Sequence, residues 1–439
     1  MMSGFSMKRV SQLTALALCL ASVSPFAANM APSLKLAQLQ QQHGAVIDTR
    51  ASAFFNGWPQ TLSGTSGHEP AALNLSASWL KVMSDEQLSD WAKQHNLTPT
   101  SAIALYGSDT DNQAVKARLA KAGYSHISVL GDALQSADRL QRLPHFEQLV
   151  YPEWLHQLMQ GKKVAAAPAG DYKIIEAAWG APKFYLLNHI PGAGYIDTND
   201  VESEPLWNKV SDDKLKALLA KQGIRHDTTV ILYGRDVYAA ARVAQIMLYA
   251  GVKDVRLLDG GWKTWSDAGL PVERGLPAKV TPADNFGAPI PGQPQLMVDM
   301  EQARGMVHRQ DASLVSIRSW PEFTGETSGY SYIKPKGEIA GARWGHAGSD
   351  ATHMEDFHNP DGTMRSAEDI AAMWKAWNIL PDQHVAFYCG TGWRASETFM
   401  YARAMGWKNV SVYDGGWYEW SSHPQNSITT GPLTPESTL

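Results

Sequence analysis

The sequence predicts an α/β protein built of three tandem units, each a mainly parallel sheet flanked by helices. Three observations predict it. Short apolar runs alternate with amphipathic helical stretches along the 439 residues, the pattern of parallel strands covered on both faces by crossover helices. One block recurs three times: a polar-capped helix, a strand ending in tyrosine, a loop, then another strand. The length suits about two to four domains.

The elements follow in order. Met7-Lys8-Arg9, an apolar run to Leu20 and small residues up to Ala28 read as a secretory signal peptide over residues 1–28, which implies export to the periplasm. No later run is long and apolar enough to span a bilayer, so no membrane anchor is expected. The first unit, 34–150, opens with a strand at 45–50. Ser84-Asp85-Glu86 then starts a helix, residues 103–106 form a strand, and Gly107 begins the loop. Val129-Leu130-Gly131-Asp132 is a decayed copy of the turn that closes the other units. The second unit, 151–285, has an opening strand at 174–176, with a small-residue connection at 163–170 ahead of it. A helix follows, capped by Ser211-Asp212-Asp213 with acids in its first turn. Next come a strand at 230–233, the loop from Gly234 to Tyr238, a strand at 255–258 and the turn Asp259-Gly260-Gly261-Trp262. The Pro- and Gly-rich stretch 277–294 reads as a linker. The third unit, 295–432, opens at 314–318. It carries insertions at 324–336 and 348–363, a helix from Ser366, a strand at 385–388, a helix from Ser396 and the turn Asp414-Gly415-Gly416-Trp417. The tail from Ser427 onward is expected to be loose.

Between the last strand and helix lies Cys389-Gly390-Thr391-Gly392-Trp393-Arg394. Amides curled around such a loop, and those left unpaired at the helix start, favour negative charge at one spot. A thiol there is expected to be held as a nucleophilic thiolate. Arg394 adds a cation with a planar fork. Aligned by their tyrosines, the three units place Gly107, Gly234 and Cys389 at this position, so only the third unit has a nucleophile. Cys389 and Cys19 are the only cysteines. With Cys19 in the leader, an internal disulfide and a thiolate metal cluster are both excluded from the mature chain. His353, Asp356, His358 and Asp361 in the second insertion lack metal-site spacing, and that segment reads as a pocket rim or interdomain contact. A net charge of -5 gives no basic footprint for nucleic acid.

CGTGWRAS resembles the active-site loop of the rhodaneses, the thiosulfate and mercaptopyruvate sulfurtransferases. Gly337-Glu338-Ile339-Ala340-Gly341-Ala342 stands where that family has GHIPGA, and Asp414-Gly415-Gly416-Trp417 matches its DGG-W turn. The resemblance implies three rhodanese-like domains, two of them inactive. It implies a ping-pong transfer in which Cys389 takes sulfur from a small anionic donor, thiosulfate by preference, and passes it to cyanide or a thiol. The amides of Gly390, Thr391, Gly392, Trp393 and Arg394 would surround the sulfur, with Arg394 binding the leaving anion, Thr391 donating its hydroxyl and Trp393 walling the pocket. Arg235 and Tyr238 of the second unit are candidates to reach the same cleft. No cofactor or metal is implied. Ser316 departs from the family's usual Asp. Gly390 after the cysteine leans toward 3-mercaptopyruvate as donor. A phosphatase is disfavoured because its loop needs Cys-x5-Arg and this one is Cys-x4-Arg. A non-catalytic persulfide carrier or scaffold stays open.

Overall fold

The computed structural model describes Leu39 and residues 44–130, 139–307 and 309–438. The leader, Cys19 and the Gly131-Asp132 half of the decayed turn lie outside the described residues. The first sheet holds β1 (Ala45–Asp48), β2 (Leu73–Asn74), β3 (Ile103–Tyr106) and β4 (Ile127–Val129), all parallel, in the order 2-1-3-4. In the second unit come β5 (Leu149–Val150), β6 (Tyr172–Ala178) and β7 (Gly194–Asp197). An antiparallel hairpin of β8 (Glu202–Ser203) and β9 (Asn208–Lys209) follows, then β10 (Thr229–Tyr233) and β11 (Asp254–Leu258). The second sheet is again parallel, ordered 5-11-10-6-7. The third unit has β12 (Met297–Val298), β13 (Ala312–Ser316), β14 (Glu338–Ile339), β15 (Arg343–Trp344), β16 (His384–Tyr388), β17 (Val410–Tyr413) and β18 (Ile428–Thr429). Its parallel sheet runs 12-17-16-13-15.

Read from the opposite edge, all three orders agree: a short edge strand, the opening strand, the strand before the loop, the strand after it. The first sheet lacks only the outermost strand. β5 was expected at the end of the first unit but pairs with β11 of the second. Every strand before a loop is buried along its length, save His384 at the start of β16. Such strands read as continuous apolar runs because helices cover both faces.

The helix starts follow local chemistry. Ser84 and Gln87 form a reciprocal capping box, Gln87 N–H donating to Ser84 Oγ at 3.1 Å and Ser84 N–H to Gln87 Oε1 at 2.8 Å. Ser211 and Ser366 cap their helices in the same way as acceptors. The helix expected from Ser396 begins three residues earlier, at Trp393, directly after Gly392. It packs against the equivalent helix of the second unit, Val237–Ala250. Both are buried nearly all round, so their side chains are apolar or paired on every face and show little periodicity to read.

The small-residue connection and the C-terminal tail are both held. The carbonyl of Ala165 accepts from Trp154 Nε1 at 2.7 Å and that of Ala166 from Arg256 Nη1 at 2.7 Å, which ties down the 163–170 connection. The tail is not loose: β18 pairs with β14 and the short helix Pro435–Thr438 lies against β15. No helix of the described residues is long and apolar enough to cross a membrane.

Candidate active site

Cys389 follows β16 directly, at the carboxyl end of a parallel sheet, where α/β folds open their sites. It is buried, and it is a free thiol. The loop is short because two glycines permit close approaches. A Cβ on Gly390 would collide with the Tyr330 ring, and Gly392 has φ +117° with the Arg242 guanidinium 2.8 Å from where a Cβ would lie. The carbonyls of Cys389 and Gly390 are pinned by the amides of Trp417 (2.8 Å) and Tyr418 (3.1 Å) in the Asp-Gly-Gly-Trp turn. In the second unit Trp262 N–H donates to Gly234 O at 2.9 Å, the same contact at the position where the cysteine is replaced.

Gly392 N–H donates to Cys389 Sγ at 3.1 Å. Among the described residues, the amides of Gly390, Thr391, Trp393 and Arg394 have no protein acceptor, and the helix's own bonding starts with Ser396 N–H to Gly392 O. One loop amide therefore faces the sulfur, and the others are left unpaired at the start of the helix.

Arg394 is not arranged as expected. Its fork is buried and bidentate on Glu322, both contacts at 2.9 Å. Its remaining Nη donors go to Tyr330 Oη (3.0 Å) and Asp350 O (3.3 Å). The guanidinium charge is thus matched by a carboxylate and its Nη donors are taken, so it braces the loop, while its edge lines the cavity and its Nε has no hydrogen-bond partner. Burial alone would raise the Glu322 carboxyl, but Arg394 and Arg318 outweigh it and hold it down to about 2. Ser316 does not leave the second arginine unsupported. Arg318 Nη1 donates to Glu338 Oε2 at 3.1 Å, Ser316 Oγ to the same oxygen at 2.6 Å, and Tyr388 Oη to Glu338 Oε1. In the first unit Asp48 on the strand itself pairs with Arg50 at 2.6 Å, whereas in the third the carboxylate comes from β14, which lies outside the parallel sheet.

The second unit closes over the loop. Trp393 Nε1 donates to Glu202 Oε1 at 2.5 Å, and its ring lies tilted on Tyr238 with centroids 5.8 Å apart. Arg242 joins Glu202 (2.9 Å) to Asp414 of the third-unit turn (2.6 Å). Lys209 N–H also reaches Asp414, at 2.9 Å. Burial raises the Glu202 carboxyl, against the pull of Arg242 and Trp393. Above the loop is a cavity of about 580 Å³ whose lining includes Glu202, Trp207, Tyr238, Tyr332, Thr391 and Trp393. Tyr238 therefore reaches the cleft. Arg235 does not: it is held by Glu176 and Asn188, over the ring of Trp262. The hairpin carrying Glu202 and Trp207 has no signal in the sequence because it repeats nothing in the other units.

The second insertion makes interdomain contacts. Tyr238 Oη donates to Thr352 O at 3.1 Å and Met364 N–H, directly after the insertion, to Asp259 Oδ1 at 2.8 Å. His353 pairs with Asp350 and His358 with Glu397, and no group of metal-ligating residues occurs among the described residues.

Comparison with known proteins gives the family. The rhodanese-like domain model matches residues 151–268 and 299–423. The thiosulfate sulfurtransferase YnjE of Escherichia coli is 77% identical over 433 residues, covering 98% of this chain and 100% of that protein. Its crystal structure superposes with a TM-score of 0.91 at 78% identity, covering 92% and 97% of the two chains. EanB, solved carrying a cysteine persulfide with ergothioneine, is 38% identical with a TM-score of 0.86, over 91% and 98% of the chains. The sulfur carrier protein TtuD of Thermus thermophilus is 29% identical over 63% of this chain and 95% of its own length. The chain belongs to the rhodanese family of sulfurtransferases.

Proposed function

We propose that this sulfurtransferase takes its sulfur from thiosulfate and carries it as a persulfide on Cys389. The observation that carries the reading is the Cys389 sulfur facing the Gly392 amide in a loop whose other amides are unpaired. The Cys389 thiolate attacks the outer sulfur of thiosulfate. A new S–S bond forms, the bond to the sulfonate sulfur breaks, and sulfite leaves with its electron pair, so the total charge is unchanged. The persulfide anion then sits among amide donors that also meet the charge developing during attack. Cyanide or a thiolate next attacks the outer sulfur and returns Cys389 as thiolate.

The substrate side is assigned to the backbone of Gly390, Thr391, Gly392 and Trp393, with Arg394 positioning the loop through Glu322 and Tyr330. Three rhodanese-like domains, at 34–150, 151–285 and 295–432, fit the shared strand order, with Gly107 and Gly234 leaving the first two without a nucleophile. An exported, periplasmic protein fits the leader-like start of the sequence and the likeness to YnjE.

Intact mass after thiosulfate treatment should show one added sulfur, lost in Cys389→Ser, and cyanide should then yield thiocyanate catalytically. A stable persulfide without turnover would make the protein a carrier. Faster loading by 3-mercaptopyruvate would change the donor. Absence of any added sulfur with either donor would refute the reading.

A further inference from the structure

The cavity bordered by Thr391, Trp393 and Arg394 of the cysteine loop is shaped for more than a small inorganic anion. Trp179, Trp207, Tyr238, Tyr332, Trp393 and Tyr418 line it. Two of these rings are unusually open for aromatic side chains, Trp179 at 64% and Tyr332 at 44% exposure. Tyr332 and Tyr418 pack edge to face at 5.7 Å, and Trp393 lies tilted on Tyr238. Trp207 is held at φ +62°, a left-handed conformation that is costly for a bulky residue. Its carbonyl is anchored by Arg242 Nη2 at 3.1 Å. The backbone is thus fixed in a strained form at the residue that brings an indole to the cavity.

The charged residues of this wall are Glu202, Glu204 and Arg394, a surplus of one carboxylate. Glu202 and Asp414 share one cation, Arg242. Arg394 is matched by Glu322. Glu204, exposed on the rim, makes no ion pair or hydrogen bond among the described residues. The floor, by contrast, offers amide donors. Aromatic faces with surplus carboxylates attract organic cations, the ring quadrupole and the acids acting together.

Resting on the persulfide reading above, we propose that the acceptor side of this site takes a small organic cation: a thiol whose quaternary or protonated amine lies among the rings while its sulfur reaches the persulfide. The acceptor's thiol proton goes to solvent. Its thiolate attacks the outer sulfur, a new S–S bond forms, the bond to Cys389 Sγ breaks, and that electron pair returns to Cys389. The acceptor leaves as its own persulfide, with charge conserved.

The test loads the full chain with sulfur from thiosulfate and measures transfer to thiocholine, 2-mercaptoethanol and 3-mercaptopropionate at equal thiolate concentration and ionic strength. Thiocholine should exceed 2-mercaptoethanol by about tenfold in kcat/KM, the scale of one desolvated cation–π contact aided by a carboxylate, and the anionic thiol should be slowest. Glu204→Gln and Trp207→Ala should compress this spread, and Glu204→Lys should narrow or invert it. Equal rates, or an order untouched by all three variants, would overturn the proposal. Tetramethylammonium should also slow alkylation of Cys389 by iodoacetamide in unloaded protein. That readout involves no sulfur transfer, so failure of the cation site and failure of the persulfide reading are separable. No protection at any concentration where tetramethylammonium leaves the fold intact would count against the cage.

Discussion

Arg394 and Glu322 lie face to face, two parallel hydrogen bonds of 2.9 Å joining a guanidinium and a carboxylate that are both shut off from water. The pair gives the arginine five residues after the cysteine a bracing role in the loop. Its charge is spent on holding the helix start, Tyr330 and the 348–363 insertion in one arrangement.

Breaking that pair should show the difference. Arg394→Lys keeps a cation but loses the fork. It should lower kcat for thiosulfate while leaving KM nearly unchanged, the signature of lost positioning and not of lost donor binding. Glu322→Gln leaves a buried guanidinium short of its counter-ion and should cost about 3–5 kcal/mol of stability. The pH dependence has a definite sign. Glu322 is held at about 2, below its usual 4.5. Its stabilisation is present above pH 4.5 and is lost as pH falls through 2. Denaturation of the two proteins should therefore converge toward acid.

Gly390 is predicted to be irreplaceable for a steric reason. A methyl group there meets the Tyr330 ring, and Tyr330 is itself held by Arg394. Gly390→Ala should cost about 1–3 kcal/mol through overpacking and depress turnover. Pairing it with Tyr330→Ala should recover part of the stability. A Gly390→Ala protein with wild-type melting and turnover would refute the contact.

Much of this site was legible in the sequence and part was not, for identifiable reasons. The loop, its glycines and the turn that pins it are local: Cys389 to Arg394 and Asp414 to Trp417 are contiguous runs, so spacing reveals them. The strand positions follow from burial on both faces, and 103–106 was placed to the residue. The carboxylate that pairs with Arg394 is not legible in the sequence because it lies 72 residues away, and an arginine's charge looks unmatched until its counter-ion is known. Glu202 and Trp207 carried no repeat, no motif and no periodicity. Their role appears only when the second unit is laid across the third. The tail looked loose because β18 is two residues long, too short to leave an alternating pattern.

Arg242 is the residue on which the contact between the second and third units turns. It is fully buried and bridges Glu202 to Asp414, beneath Gly392. Arg242→Met should strand two carboxylates and cost about 3–5 kcal/mol. Because Glu202 also holds Trp393, the substitution should lower turnover even though Arg242 does not touch the sulfur. Thermal melting together with the thiocyanate assay checks both effects. An active protein with an unchanged melting temperature would show that the bridge is dispensable.

Asp259, in the second-unit turn, supplies the last prediction. It accepts the Met364 amide, directly after the second third-unit insertion, at 2.8 Å. Complete burial pushes its carboxyl up from 3.8 to about 7, an effect the Met364 hydrogen bond only partly offsets. A folded-state value above the unfolded one favours the fold while the group is protonated. This contribution is present below pH 3.8 and disappears as pH rises through 7. Over that interval each pH unit should remove about 1.4 kcal/mol at most. Asp259→Asn keeps an acceptor for Met364 and removes the ionisation. It should melt higher than the parent protein at pH 8, and the gap should close or reverse at pH 5. Equal differences at the two pH values would mean that Asp259 is already ionised in the fold and that the insertion is held by some other contact.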